Sequence, residues 1–224
     1  MKLKAAIRYQ TIEFVQCAAV FCLIIGVIFV LLGLYPVSQG AHMGVSGMAT
    51  LPFVFMPFLA LSVFSGDVRF LLQMGLTRNQ AFASTAASFA VACLFLALVE
   101  TACAIFVPFW SREQSLFLMA YGPENGPALD FFFMLLSCAA VSAVGLALAA
   151  VQMRVGTKRL LLGVGVIYLA VIALPAFVPL ADGVSWLFGF GEGASLANPF
   201  ILFVAVTALG ALVAWAAVRR LEVR

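Results

Sequence analysis

Glu100 is the residue whose type and setting most suggest chemistry in this sequence. It lies well inside a long apolar run, between LALV on one side and TACAIF on the other. A carboxylate at such a place in a membrane is costly, so it should face the interior of a helix bundle, be neutral, or pair with a cation. The apolar runs contain no basic residue that could pair with it. We therefore predict that Glu100 lines a polar cavity or substrate path, with contact to interfacial water as the alternative.

The other reactive residue types do not form a catalytic or metal-binding pattern. Ser46 lies in a Gly-x-Ser-Gly run, but a serine nucleophile needs a base within hydrogen-bond reach, and His42 lies in the same loop. All the cysteines lie in apolar stretches without a Cys-x-x-Cys pair, which predicts packed and unreactive thiols. The sequence has no G-x-x-x-x-G-K-[ST] run that could bind a nucleotide phosphate. We predict no catalytic site, no metal site and no cofactor, so the chain is not expected to be an enzyme.

The composition excludes a soluble globular domain. Of the 224 residues, 65% are apolar and only 9% are charged, whereas soluble domains carry about 25% charged residues. The net charge of +3 is too small to suggest nucleic acid as a partner. Six membrane spans of about 20 residues would use roughly 120 residues and leave only short loops. The whole chain, 1–224, is therefore predicted to be one transmembrane domain.

Long apolar runs predict an all-α, polytopic membrane protein with six transmembrane helices. The runs lie at about 14–35, 47–64, 81–108, 128–151, 160–180 and 198–218. All basic residues except Arg112 fall in the two termini or in the loops after the second and fourth runs. Because cytoplasmic loops hold the excess of Lys and Arg, we predict that both termini are cytoplasmic and that the protein resides in the cell membrane.

Two segments outside the apolar runs have their own amphipathic pattern. Residues 2–13 can form a helix with Leu3 and Ile7 on one side, which could lie along the inner membrane surface. Alternatively, this segment is a basic flank that orients the first span. In the outer loop 181–197, Trp186 and other aromatic residues alternate with glycines. This pattern suggests a segment that dips into the outer interface, with simple aromatic anchoring as the alternative.

Small residues recur at helical intervals in the fourth and sixth runs. Ala143 and Gly145 belong to the fourth, and Gly210 and Ala214 belong to the sixth. Small faces allow membrane helices to approach closely. The pattern predicts close helix packing, either within one chain or between two chains.

The loop between the second and third runs, SGDVRFLLQMGLTRNQ at 65–80, carries a detailed pattern of local signals. Its first part can form a short amphipathic helix that includes Leu71, and Gly75 suits the C-terminal stop of that helix. Thr77 then caps the next helix, and Gln80 three residues later completes a capping box. A rigid, half-apolar element of this kind could dock into a groove on a soluble partner. The alternative is an ordinary loop helix that rests on the membrane.

The run RFLLQMGLTRNQAF opens a span that carries an acidic residue, and it resembles the corresponding region of type-2 ABC transporter permeases. These permeases are small six-span subunits found in bacteria. The resemblance implies that residues 65–76 are a coupling helix that contacts a separate ATPase subunit. It also implies that about 2–13 is a connecting helix and that 181–197 is re-entrant. The residues expected to contact the ATPase are Asp67, Arg69, Phe70, Leu71, Met74 and Arg78.

Together these observations predict the permease subunit of an ATP-driven ABC transporter. A second permease chain, identical or different, would complete the path, and the ATPase would be a separate partner. Export is the expected direction, and the scarcity of charge within the spans favours an apolar or amphipathic cargo. Two alternatives remain: a substrate-binding membrane subunit of a vitamin-type importer, and a membrane scaffold or immunity protein that transports nothing.

Overall fold

The computed structural model describes residues 2–38, 51–106, 116–122, 124–173, 180–190 and 193–219. Within these ranges the regular structure is α-helical, which confirms the predicted all-α class. The helices are α1 (Lys2–Ser38), α2 (Leu51–Gln73), α3 (Arg78–Phe106), α4 (Leu116–Tyr121), α5 (Pro127–Val155), α6 (Thr157–Ala173), α7 (Leu180–Leu187) and α8 (Ala197–Arg219). Three residues discussed above lie outside the described ranges, namely His42, Ser46 and Arg112.

In the described part of the chain, four helices are long and apolar enough to cross a membrane: α1, α3, α5 and α8. These four helices indicate a helical membrane protein. Helix α2 adds a fifth candidate if its two segments, Pro52–Ser62 and Gly66–Gln73, form one span with a 42° bend between them. Helix α6 covers part of the predicted span 160–180, of which residues 174–179 fall outside the described ranges. The number of six spans and the cytoplasmic position of the termini therefore stay predictions.

Helix α1 differs from the expected arrangement of a separate N-terminal segment followed by a span. Residues 2–38 form one continuous helix of 37 residues. At 1.5 Å per residue this helix is about 55 Å long, well beyond the roughly 30 Å of a bilayer hydrocarbon core. The physical reason is local, since residues 2–25 include no glycine or proline that could break the helix. Its N-terminal turns therefore have the length to extend past the membrane.

Helix α5 packs against α2, α3, α6 and α8 and lies at the centre of the described bundle. It runs parallel to α8, because Phe133 contacts Phe200 near the start of both helices and Ala143 faces Gly210 further along. It runs antiparallel to α3, in which Cys93 lies beside Ser142 of α5. The small residues predicted to permit close packing thus pack within this chain at the α5–α8 contact.

Helix α1 runs parallel to α3, with Phe14 packed edge-on against Phe89 at a centroid distance of 4.8 Å. These directions bring four chain segments to one end of the bundle: the start of α1, the α2–α3 turn, and the ends of α5 and α8. Their basic side chains include Lys2, Arg78 and Arg219. We call this end of the bundle the basic end.

Candidate functional site

The α2–α3 turn at the basic end begins with a Schellman motif. Helix α2 ends at Gln73, and Gly75 follows with a positive φ of 79°. The amide of Leu76 donates to the carbonyl of Leu71 at 3.1 Å, and the amide of Gly75 donates to the carbonyl of Leu72 at 3.0 Å. These two bonds satisfy carbonyls that the helix end would otherwise leave unpaired. The predicted helix stop at Gly75 is confirmed.

The capping box that starts α3 is also confirmed. The hydroxyl of Thr77 accepts a hydrogen bond from the amide of Gln80 at 3.3 Å. The side-chain oxygen of Gln80 accepts in return from the amide of Thr77 at 3.1 Å. The reciprocal bonds satisfy two donors at the N-terminus of α3. The turn between α2 and α3 is therefore held rigidly on both sides by local hydrogen bonds.

We expect the substitution Gly75→Ala to destabilise the protein, because a residue with a Cβ is strained at this positive φ. The free energy of unfolding should fall by roughly 1–2 kcal/mol. Each kcal/mol lowers the unfolding midpoint by about 2–4 °C for a chain of this size. Thermal unfolding of the purified protein measures the change. Gly165→Ala is the control, since a Cβ on Gly165 in α6 meets no atom of the described structure within 4 Å. An unchanged midpoint for Gly75→Ala would contradict the assigned role of the glycine.

One face of the turn is buried against the N-terminal turns of α1. Leu71 and Leu76 are almost fully buried and form a cluster with Ala6 of α1 and Ala81 of α3. Leu3 packs against the same cluster. The apolar side of the N-terminal segment, which could have lain on the membrane surface, thus covers the turn. The contact makes the start of α1 and the turn parts of one packed unit.

The opposite face of the turn is exposed and carries two large apolar side chains. Phe70 is 45% exposed and Met74 is 58% exposed, and both follow the bend in α2. Tyr9 of α1 joins them, with its ring centroid 5.9 Å from that of Phe70, and it is 52% exposed. We call Tyr9, Phe70 and Met74 the apolar patch. Arg69 is exposed beside it.

The structure divides the six residues predicted to contact an ATPase into two groups. Arg69, Phe70 and Met74 are exposed and available to a partner. The other three are engaged within the chain: Leu71 is buried, Asp67 accepts a hydrogen bond from Gln10, and Arg78 donates to the backbone carbonyl of Arg219 at 2.8 Å. This second group supports the position of the turn.

A buried polar cluster beneath the turn escaped the sequence analysis. Gln10 of α1 is fully buried, and its amide nitrogen donates to Asp67 Oδ2 at 3.1 Å and to Thr85 Oγ1 at 3.2 Å. Its oxygen accepts from the hydroxyl of Ser84. One turn further, the hydroxyls of Thr11 and Ser88 lie 3.1 Å apart. The available signal was the run of Ser and Thr at the start of α3.

Glu100 lies far from the turn along α3. The 22 residues that separate it from Arg78 span about 33 Å of helix. Its Oε2 atom is buried and has no hydrogen-bond partner among the described residues. Asp130 of α5 lies close enough to interact electrostatically with it. The structure therefore places Glu100 near Asp130 of α5 and does not bring it to the turn. Its predicted position on a polar cavity or substrate path stays a prediction.

The opposite end of the bundle carries an aromatic cluster that joins α4, α7 and α8. The rings of Tyr121 and Phe190 stack at a centroid distance of 5.1 Å. The hydroxyl of Tyr121 donates to the carbonyl of Phe188, and burial raises the pKa of Tyr121, which keeps this donor protonated. Gly189 between them has a φ of 82° and permits the turn after α7. Phe188 also contacts Phe203 of α8 at a centroid distance of 6.4 Å, so the segment predicted to be re-entrant packs against the first half of α8.

Comparisons with protein-family models, curated proteins and solved structures found no match to this chain. Among the described residues, no group of three His, Cys, Asp or Glu side chains is close enough to hold a metal ion. The functional interpretation therefore rests on the basic end and on the carboxyl group of Glu100.

Proposed function

We propose that the chain is the membrane-spanning permease subunit of an ATP-driven transporter of the ABC type. A separate ATPase subunit docks on the α2–α3 turn, and a second permease chain completes the translocation path. The observation that carries this proposal is the apolar patch, which a rigid turn presents at the basic end. The basic end then faces the cytoplasm, where ATP is available, as the excess of Lys and Arg favours.

The chemistry of the patch suits a protein partner. Aromatic residues and Met are enriched in the centres of protein interfaces, where charged residues are depleted. Phe70 lies in the last turn of α2 and Met74 directly follows that helix, so a groove on a partner could receive both side chains, as grooves receive the apolar faces of other helices. Arg69 beside the patch would lie at the rim of the contact. The hydrogen bonds on both sides of the turn reduce the entropic cost of ordering it on binding.

The interior of the bundle suits an apolar or amphipathic cargo. The helix interfaces consist largely of Ala, Leu, Phe and Met side chains. Glu100, with one buried oxygen atom lacking a partner among the described residues, is the candidate polar contact on the path. We propose export as the direction of transport and the cell membrane as the location.

The test uses the chain co-expressed with ABC ATPase subunits, beginning with any that is encoded in an adjacent reading frame. We expect the wild-type chain to co-purify with an ATPase and with ATP hydrolysis. Phe70→Asp should reduce the amount of bound ATPase roughly tenfold or more, because buried aromatic residues dominate interface energies. Since Phe70 is exposed in the isolated chain, the substitution should leave the permease folded.

Val155→Asp is the matched control for this experiment. Val155 is 41% exposed at the end of α5, and it lies at the basic end but outside the apolar patch. This variant should bind the ATPase as the wild type does. Undiminished binding by Phe70→Asp, or an equal loss for both variants, would refute docking at the patch.

A further inference from the structure

Two carboxylates lie directly beside the aromatic rings of the apolar patch. Glu13 follows Tyr9 by four residues on α1. Asp67 precedes Phe70 by three residues on α2. Residues three or four apart on a helix are surface neighbours, so each carboxylate shares a helix face with one ring of the patch. Glu13 and Asp67 also lie close enough to interact electrostatically, and we call them the acidic pair.

The described neighbours of the acidic pair do not neutralise its charge. Asp67 is partly buried, and the groups that act on it are the amide of Gln10 and the carboxylate of Glu13. Glu13 interacts with the hydroxyl of Tyr9, and its Oε2 atom has no hydrogen-bond partner among the described residues. Two carboxylates in one partly buried place repel each other, and a nearby cation relieves that repulsion. The acidic pair is therefore complementary to a cation.

The acidic pair differs in charge from the rest of the basic end. Lys4, Arg8 and Arg69 are exposed there and carry positive charge. A partner surface that was acidic throughout would be repelled at the acidic pair, and one that was basic throughout would be repelled at its rim. The charges therefore fit a partner that presents a cationic side chain to the acidic pair and acidic side chains around it.

The rings of the apolar patch favour the same kind of group. The centroids of Tyr9 and Phe70 are 5.9 Å apart, and both rings are about half exposed. A Lys or Arg cation is attracted to the face of an aromatic ring within about 6 Å of its centroid. One helical turn, about 5.4 Å, separates the rings from the carboxylates along each helix. A single long cationic side chain can therefore contact a ring with its stem and a carboxylate with its charged end.

We propose that the docked ATPase presents a Lys or Arg side chain, which lies across the apolar patch and pairs with Glu13 and Asp67. This inference rests on the proposed function, because it names the residue type by which the ATPase recognises the docking surface. The rings supply apolar contact area, and the acidic pair supplies specificity for the partner.

The test measures the affinity of the full-length chain, reconstituted in lipid nanodiscs, for the ATPase that co-purifies with the wild type. Glu13→Gln and Asp67→Asn remove one charge each. Both preserve side-chain shape, and each new amide oxygen still accepts a hydrogen bond. Each variant should bind the ATPase roughly tenfold more weakly, because the partner's cation loses a charged acceptor on docking. Glu124→Gln is the matched control, since it removes an exposed carboxylate at the opposite end of the bundle and should bind as the wild type does.

Substitution of each exposed Lys and Arg of the ATPase by Ala identifies the partner's cation. Its removal should weaken binding to the wild-type chain roughly tenfold and have little further effect on the double variant Glu13→Gln/Asp67→Asn. Residues that interact directly show this non-additivity, whereas a general loosening of the permease does not produce it. Should Asp67→Asn fail to fold, Glu13→Gln alone provides the comparison.

Phe70→Ala separates the failure of this inference from the failure of the proposed function, because it removes a ring of the patch without adding charge. Weak binding by Phe70→Ala together with wild-type binding by Glu13→Gln and Asp67→Asn would overturn the cationic contact and leave docking at the patch supported. Tighter binding by the two neutral variants would also overturn it, since the surface would then favour an anionic partner. A wild-type chain that binds no ATPase would refute the proposed function and this inference with it.

Discussion

Substitution of Gly210 by Ala is expected to destabilise the protein more than Gly75→Ala, which also adds a single methyl group. A Cβ on Gly210 would lie 2.8 Å from the backbone carbon and oxygen of Ala143. Because these are backbone atoms, the clash can be relieved only by moving α8 away from α5. Van der Waals packing drives helix association in membranes, so the separation removes the main stabilising force at this contact.

Overpacking of this kind lowers the free energy of unfolding by roughly 1–3 kcal/mol. Each kcal/mol lowers the unfolding midpoint by about 2–4 °C in a chain of this size. The buried thiols of Cys93 and Cys138 provide the measurement in a background in which the more accessible Cys17, Cys22 and Cys103 are replaced by Ala, since the two buried thiols should react with a fluorescent maleimide only as the bundle opens on heating. Gly163→Ala is the control, because a Cβ on Gly163 in α6 meets no described atom within 4 Å. If both variants unfold at the wild-type temperature, the α5–α8 contact is not as close as described.

A second large effect is expected for Leu71→Asp. Leu71 is only 2% exposed and packs with Ala6, Leu76 and Ala81. A carboxylate at this place must be desolvated without a cationic partner or must protonate, which costs on the order of 3–5 kcal/mol. The start of α1 should then separate from the turn.

The rate of trypsin digestion of the purified protein reports this separation, since trypsin cleaves after Arg69 and Arg78, which lie on either side of Leu71 in the sequence. We expect rapid cleavage in Leu71→Asp and slow cleavage in Leu71→Met, which conserves volume and apolar character. Phe70→Asp should resemble the wild type in this assay, because Phe70 is exposed. Equal cleavage of Leu71→Asp and the wild type would show that the turn does not depend on its contact with α1.

Features that depend on a few neighbouring residues could be predicted from the sequence. The stop at Gly75 and the capping box of Thr77 and Gln80 are hydrogen-bonded motifs that close within six residues, so the local sequence specifies them. The membrane class follows from the scarcity of charge, since a chain with 9% charged residues cannot cover a water-facing surface. Glu100 could be identified from the sequence because a carboxylate inside an apolar run is unusual, whichever helices that run packs against.

The partners of individual side chains depended on the tertiary structure. Phe70 and Leu71 are adjacent and apolar, yet only Leu71 is buried, because α1 covers one side of the turn and leaves the other open. The N-terminal segment could likewise have lain on the membrane surface, and only the folded chain shows its apolar side packed against that turn.

The sequence by itself determined the all-α class, the membrane character and the local hydrogen-bonded motifs of the α2–α3 turn, since each depends on composition or on short-range hydrogen bonds. Tertiary structure alone decided that Gln10 would bond to Asp67 and Thr85, which lie 57 and 75 residues away. The physical reason is that an isolated glutamine next to basic residues is compatible with solvent, with a membrane surface or with a buried network. Only the positions of three packed helices select among these environments.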